Sequence, residues 1–287
     1  MAFEPANEPA TLIIDTAYGS AVAVEGCDPI IESDSRTHVE RLQVNIARAV
    51  QEAHLKPNDI QRIVVGVGPA PFTGLRAGIV AAKALHMATS ADLFGQDILS
   101  AQAVMLDVKR HGSLLDKAEL LDHITPLNSE DHHNRHITVS INDARRKQVY
   151  ALVVEENSSI DETDPQTGTV LMDMDIDYPE HLAERINGLI DELSNDAQQP
   201  VSVSVIGHGA EKYRTAWENI RNIEHIIESG IFDAGSAGAI LFARCAYSSA
   251  VTNPQSSVEP LYLRRPDVSV PNPLKHVLHH GGATKDA

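Results

Sequence analysis

The residues with chemical potential are few and scattered. Asp15-Thr16 closes the apolar run TLIIDTA (11–17), and a carboxylate and hydroxyl at a strand end can hold a metal ion and the phosphates of a nucleotide. Equally, such an Asp can cap a turn. Gly207-His208-Gly209 follows the run VSVSVI and reads either as a turn against which a nucleotide lies or as a plain glycine turn. The loop GPAPFTGLR (68–76) joins the β-branched run RIVVGVG to a helix start, where backbone N–H groups can cradle a phosphate. Pro69 and Pro71 have no N–H to give, however, and no Gly-Lys-Ser/Thr is present, so the loop suits a rigid turn better, with Thr73 as the cap of the helix. His132 and His136, like His276 and His280, stand four apart, but neither pair lies in a strong helical pattern or has a Glu placed as in HExxH. No metal site is expected. There is no Gly-x-Ser-x-Gly elbow, and Cys27 and Cys245 fit no nucleophile, zinc or disulfide-framework spacing. The sequence thus offers no catalytic constellation, and the two cysteines suit a reducing compartment.

The elements that must position these residues follow from hydrophobic period. TLIIDTA and SAVAVEG (20–26), separated by Tyr18-Gly19, predict a hairpin, and IIESDS (30–35) a third strand. Val39, Leu42, Ile46, Ala49, Val50 and Ala53 then recur at helical spacing, ended near Leu55 by Pro57. RIVVGVG (62–68) predicts a strand buried on both faces. Residues 75–90 predict a helix apolar nearly all round, broken only by Arg76, Lys83 and His86, and such a helix must be covered on both sides. Its small Ala and Gly positions admit close approach of another helix, from this chain or from a partner. A strand near 91–94 and a helix near 100–109 complete a first half. The pattern restarts at HITVSINDARRKQVYALVVEE (136–156), a hairpin, followed by a strand at 169–176, a helix over 179–194, a strand at 201–206 and a small-residue helix over 236–250. A loosely repeated order of strands and helices predicts an α/β protein of two related lobes.

Composition bounds the function. The 287 residues carry 23 Lys+Arg against 40 Asp+Glu, a formal charge of −17, which disfavours unaided binding to nucleic acid or to an anionic membrane surface. Residues 151–200 alone hold thirteen acids and one base, Arg185, whereas residues 1–110 hold thirteen acids and nine bases. The acidic stretch reads as a solvated face or as a dock for a basic partner. Arg145-Arg146-Lys147 and Arg264-Arg265 form local basic spots, suited to ion pairing within the chain or to contact with RNA inside a larger assembly. The start, MAFEPANEPA, lacks the features of a signal peptide, and no run of about 18 uncharged apolar residues is present, so a cytoplasmic protein without a membrane span is expected.

In order and spacing, IIDTAYGSAVAV, HVERL, VVGVGPAPFTGLRAGIVAAKAL, INDARRKQVYAL, VIGHGAEKY and PLYLRRPDV resemble the TsaB (YeaZ) family of bacterial tRNA threonylcarbamoyladenosine biosynthesis proteins. The resemblance spans roughly residues 11–268. The family loop more often reads Gly-Pro-Gly-Ser-Phe-Thr-Gly-Leu-Arg, and Ala70 and Pro71 depart from it. The resemblance implies a two-lobed actin-like ATPase (ribonuclease-H-like) fold, mixed sheets flanked by helices. Its first lobe would be residues 1–110, its second, acidic lobe 111–235, with helix 236–250 folded back onto the first lobe and 251–287 a C-terminal segment. It implies a non-catalytic scaffold that activates TsaD by dimerising with it, TsaE (an ATPase) joining them, a homodimer forming in TsaD's absence, and tRNA reached only through the complex. By position, the partner interface would take His38, Leu42 and Ile46 from one helix and Phe72, Thr73, Leu75, Arg76, Ile79, Ala82 and Lys83 from the next. Asp15, Thr16, Gly207 and Gly209 would be a vestigial nucleotide site, with ATP or ADP bound weakly or at the complex interface if at all. The His-x-x-x-His metal motif of TsaD-type proteins has no counterpart at the corresponding place. The alternative is a nucleotide-binding enzyme of the actin-like ATPase or M22 peptidase-like class.

Overall fold

The computed structural model describes residues 9–33, 38–115, 135–157, 160–197, 200–253 and 258–263. Strands β1 (Thr11–Asp15), β2 (Ser20–Val24) and β3 (Ile30–Glu32) form an antiparallel meander. Helix α1 (His38–Glu52) leads to β4 (Arg62–Gly68), helix α2 (Phe72–Thr89), β5 (Asp92–Asp97) and helix α3 (Ile98–His111). Both β4 and β5 run parallel to β1, so the first sheet has the order β3-β2-β1-β4-β5. The β-branched Ile63, Val64 and Val65 are fully buried because helices cover both faces of β4.

The second half repeats this plan. β6 (Arg135–Asp143), β7 (Val149–Glu155) and β8 (Thr169–Asp177) form a second meander, followed by helix α4 (Pro179–Ala197), β9 (Val201–Ile206), the short helix α5 (Arg214–Trp217) and β10 (Ile223–Ile227). The sheet order is β8-β7-β6-β9-β10, the same as in the first lobe. Alternation along β7 divides the molecule's interior. Val149, Ala151 and Val153 face the core under α4, while Tyr150, Leu152 and Val154 join the core shared with the first lobe. Helix α6 (Gly235–Thr252) lies beside β5 and α3, against the first sheet.

Helix α3 links the lobes. Asp97 caps it, accepting the N–H of Ser100 at 2.7 Å, and nearly all its side chains are buried. Two of its polar side chains reach the second lobe. Gln102 donates to Ser140 Oγ and the Ile141 carbonyl, and Arg110 Nε lies 3.1 Å from Glu156, with both side chains almost fully buried. A buried ion pair is costly to break because the survivor stays uncompensated.

Three expectations are revised. β10 was not among the expected strands. Thr73 does not cap α2: Pro71 holds the N-cap position without a side-chain hydrogen bond, and Thr73 is exposed in the first turn. The strand expected over 30–35 ends at Glu32, and residues 34–35 lie outside the described part.

Candidate functional site

Two places gather the candidate residues: the cleft between the lobes and the outer face of α1 and α2. On the first-lobe wall of the cleft, Asp15 ends β1 and is 4% exposed. Its Oδ2 accepts the N–H of Ala17 at 2.9 Å, while Oδ1 has no partner among the described residues and lies where a Cβ on Gly66 would come within 1.9 Å. Gly66 is therefore required by the carboxylate beside it. Burial pushes the Asp15 carboxyl up to about 6. Thr16 is buried in the same way, its hydroxyl facing Gly78 of α2.

On the opposite wall the turn 207–211 has Gly207 at φ 133° and Gly209 at φ 107°, and a Cβ on Gly207 would meet the Ile141 carbonyl at 1.8 Å. The N–H of Gly209 lies 3.0 and 3.1 Å from the two Glu228 carboxylate oxygens, and that of Glu211 donates to Glu228 at 2.6 Å. An anion cradle exists here, and the chain's own carboxylate fills it. His208 reaches across to stack on Tyr18, ring centroids 4.0 Å apart, with Asp233 3.4 Å from its Nε2. Burial holds His208 below the ordinary imidazole value despite Asp233 and Glu228.

Tyr18 divides the cleft. Behind it lies a cavity of about 100 Å³, lined among others by Asp15, Gln102, Asn142, His208 and Asp233. Asp15 Oδ1, Gln102 Oε1 and both amide atoms of Asn142 are buried there without hydrogen-bond partners among the described residues, a polar setting with room for a few waters. In front of Tyr18 a wider opening of about 650 Å³ runs past Thr16, Glu40, Thr73, Asp143 and Arg145. The structure thus brings Asp15 and the 207–209 turn to one cleft. The sequence reading missed Gln102, Asn142 and Glu228. Gln102 had left a trace, as a lone amide on an otherwise apolar stretch of helix. Glu228 engages the N–H donors of Gly209 and Glu211, and at the mouth Glu40 adds negative charge while Asp143 is paired with Lys212 at 2.6 Å and Arg145 stands beside it.

Among the described residues no group of three or more His, Cys, Asp and Glu is arranged to hold a metal ion. His132, His276, His280 and Arg264-Arg265 lie outside the described residues. His136 is a buried β6 residue whose Nδ1 meets Ser202 Oγ at 2.7 Å. Arg145, Arg146 and Lys147 form the exposed tip of the β6–β7 hairpin, all three with positive φ.

The outer face of α2 differs from the sequence expectation. Leu75, Ile79 and Ala82 are buried against the sheet, as is Leu42 of α1, while Ile46, 8% exposed, lines an apolar groove of about 440 Å³ between α1 and α2. Helical phase is the reason. At 100° per residue Phe72, Arg76, Val80, Lys83 and Met87 fall within an arc of about 80°, centred about 90° from the adjoining arc of the inward-facing Leu75, Ile79 and Ala82. Val80 is 64% and Met87 83% exposed, and Val44 of α1 is 65% exposed. Val44, Phe72, Val80, Met87 and Tyr262 are five of the ten large apolar side chains exposed among the described residues, which concentrates the exposed apolar surface here. The side chain of His38 lies outside the described part.

Two sheets of equal strand order, joined through one buried helix and facing each other across a cleft, define a two-lobed α/β protein of the actin-like, ribonuclease-H-like class. The comparisons sharpen this. The family model of TsaD, tRNA N6-adenosine threonylcarbamoyltransferase, matches residues 25–114. An uncharacterized protein of Mycobacterium leprae is 35% identical over 117 residues, 35% of this chain and 33% of the relative. The tRNA N6-adenosine threonylcarbamoyltransferase of Bartonella henselae is 40% identical over 73 residues, 25% of this chain and 20% of the relative. The matched stretches thus span a third or less of these relatives. YeaZ from Pseudomonas aeruginosa superposes with a TM-score of 0.53 at 16% identity, covering 89% of this chain and all of that one. Residues 25–114, from beyond β2 through α3, are thus similar to the TsaD family, and the fold is similar to that of YeaZ. Among the described residues no helix is long and apolar enough to cross a membrane.

Proposed function

We propose that the chain is a TsaB-type subunit in tRNA threonylcarbamoyladenosine modification: a cytoplasmic scaffold that docks a TsaD-type subunit on α1 and α2, with a TsaE-type ATPase joining and tRNA reached only through the assembly. The observation that carries this reading is the outward apolar stripe of α2, set in the stretch that matches the TsaD family. The cleft supports a non-catalytic role, since its anion cradle is self-filled and its carboxylate is buried. In the TsaD-free protein the same stripe would pair with a second copy. The test is titration of a TsaD-type subunit into the chain carrying Met87→Asp. Association is expected to fall about a hundredfold, as for loss of a central apolar contact replaced by a buried charge. Unchanged association would refute the docking face.

A second reading, a nucleotide-binding enzyme of the actin-like ATPase or M22 peptidase-like class, is favoured by the orphaned polar atoms of Asp15, Gln102 and Asn142 around one cavity. Calorimetry with ATP and Mg²⁺ decides it. Micromolar binding that disappears in Asp15→Ala would support this reading, and absence of heat would end it.

A further inference from the structure

The stripe on α2 is not bare. Segment 258–263 crosses the start of the helix, and its inner edge is seated in the first lobe. Leu261 donates its backbone N–H to the Val67 carbonyl at 2.7 Å, beside the register shift of β4 against β5 between Gly66 and Gly68. Val258 packs over Gly95, where an added Cβ would come within 3.5 Å of its side chain, and Val258 and Leu263 both border the first core. The outer edge meets the stripe. Tyr262 stacks on Phe72 with centroids 5.2 Å apart, and its hydroxyl accepts Arg76 Nε–H at 2.6 Å. The Arg76 guanidinium lies 3.8 Å from the Phe72 ring centre. Glu259 pairs with Lys83 at 2.9 Å, the side chains 64% and 41% exposed.

Each cation of the stripe is thus matched by one residue of the strap. So exposed a pair contributes little to folding. Its weight would be felt on docking. An unpaired Lys or Arg covered by a partner loses its hydration without compensation, whereas a cation already paired can be buried with far smaller loss. Phe72, Arg76 and Tyr262 also form an aromatic–guanidinium cluster of the kind that dominates interface energies.

We infer that 258–263 is the second half of the docking face: Glu259 and Tyr262 pre-pair Lys83 and Arg76 so that a TsaD-type subunit can bury the α2 stripe. This rests on the proposed function. The occupant is the partner the proposed function names, and because residues 25–114, with α1 and α2, are similar to the TsaD family, that partner's lobe would be a relative of this one. A TsaD-type partner presents a related lobe, and two like lobes meeting about a pseudo-two-fold axis would set apolar stripe on apolar stripe.

The test measures affinity of the full chain for a TsaD-type subunit in Glu259→Gln, Lys83→Met, the double variant, and Tyr262→Phe. Glu259→Gln should weaken association about tenfold by leaving Lys83 unpaired in the interface, with the melting temperature unchanged. The double variant should recover most of the loss, because no unpaired cation remains. Tyr262→Phe should weaken association several-fold through Arg76. Affinity unchanged or tighter in Glu259→Gln, or a double variant no better than Glu259→Gln alone, would overturn the inference. So would a loss seen only in self-association. Met87→Asp separates the two failures: if it abolishes docking while Glu259→Gln is silent, only the role of the strap is wrong, and if both are silent the docking face itself is wrong.

Discussion

The two lobes share one strand order and differ in what they turn outward. In the first lobe the helix after β4 is α2, 18 residues long, with Val80 and Met87 exposed on its outer arc. In the second lobe the corresponding helix after β9 is α5, four residues, and its Trp217 is fully buried. The helices after the third strands diverge as well. α1 exposes Val44 between Arg41 and Arg48, whereas α4 exposes Glu180, Glu184, Asp191 and Glu192. A repeated skeleton constrains only inward positions, so the outward positions are free to carry exposed apolar side chains in one lobe and acidic ones in the other.

Four changes would break or sharpen this contrast. The largest effect is expected from Ala82→Arg, which drives a cation into the layer between α2 and the first sheet, where Ala82 is fully buried. A loss of about 4 kcal/mol or more, read by denaturant unfolding, would mark this arc as core and not interface. A stable, folded variant would mean that α2 lifts easily from its sheet.

Next in size is Asp15→Asn. The Asp15 carboxyl titrates near 6 in the folded protein against 3.8 for a free carboxylate. The fold thus prefers the protonated form, and this contribution is fully present below pH 3.8 and lost as pH rises through 6. The amide should therefore stabilise by about 1–3 kcal/mol at pH 7.5, and the advantage should vanish near pH 4. Asp97, raised to about 6 by its own burial, titrates in both proteins and cancels in the comparison. Stabilisation independent of pH would disprove the burial argument.

Glu228→Ala empties the 207–211 cradle and should cost about 1 kcal/mol, modest because the carboxylate is 40% exposed. Thermal melts would measure this, and an unchanged melting temperature would mean that the turn holds itself. The smallest effect belongs to Glu184→Ala on α4, within about 0.5 kcal/mol and without influence on association. A clear loss of TsaD-type binding there would move the interface to the wrong lobe.

Much of the fold was legible because β1, β2 and β4 are short apolar runs bounded by turn residues and α1 carries a clean period of 3.6. β10 was not: IEHII is short, two of its five residues are polar, and its pairing with β9 slips between Ile223 and His225. The phase of α2 was unreadable for another reason. Ala81 and Ala82 lie inside while Val80 and Met87 lie outside, so hydropathy points outward where packing points inward. The cleft was half legible. Asp15 and the 207–209 glycines carry local signatures, but Gln102 and Asn142 acquire meaning only when α3 and β6 converge.

The sequence by itself determined the two-lobed α/β repeat and the uneven placement of acidity, because each depends on residue type and local period. Only the tertiary structure decided that Glu228 occupies the glycine turn, that Asp15 is buried against Gly66, and that 258–263 lies on α2. These include a contact between residues 186 apart, and no local pattern encodes which distant side chain reaches a given site first.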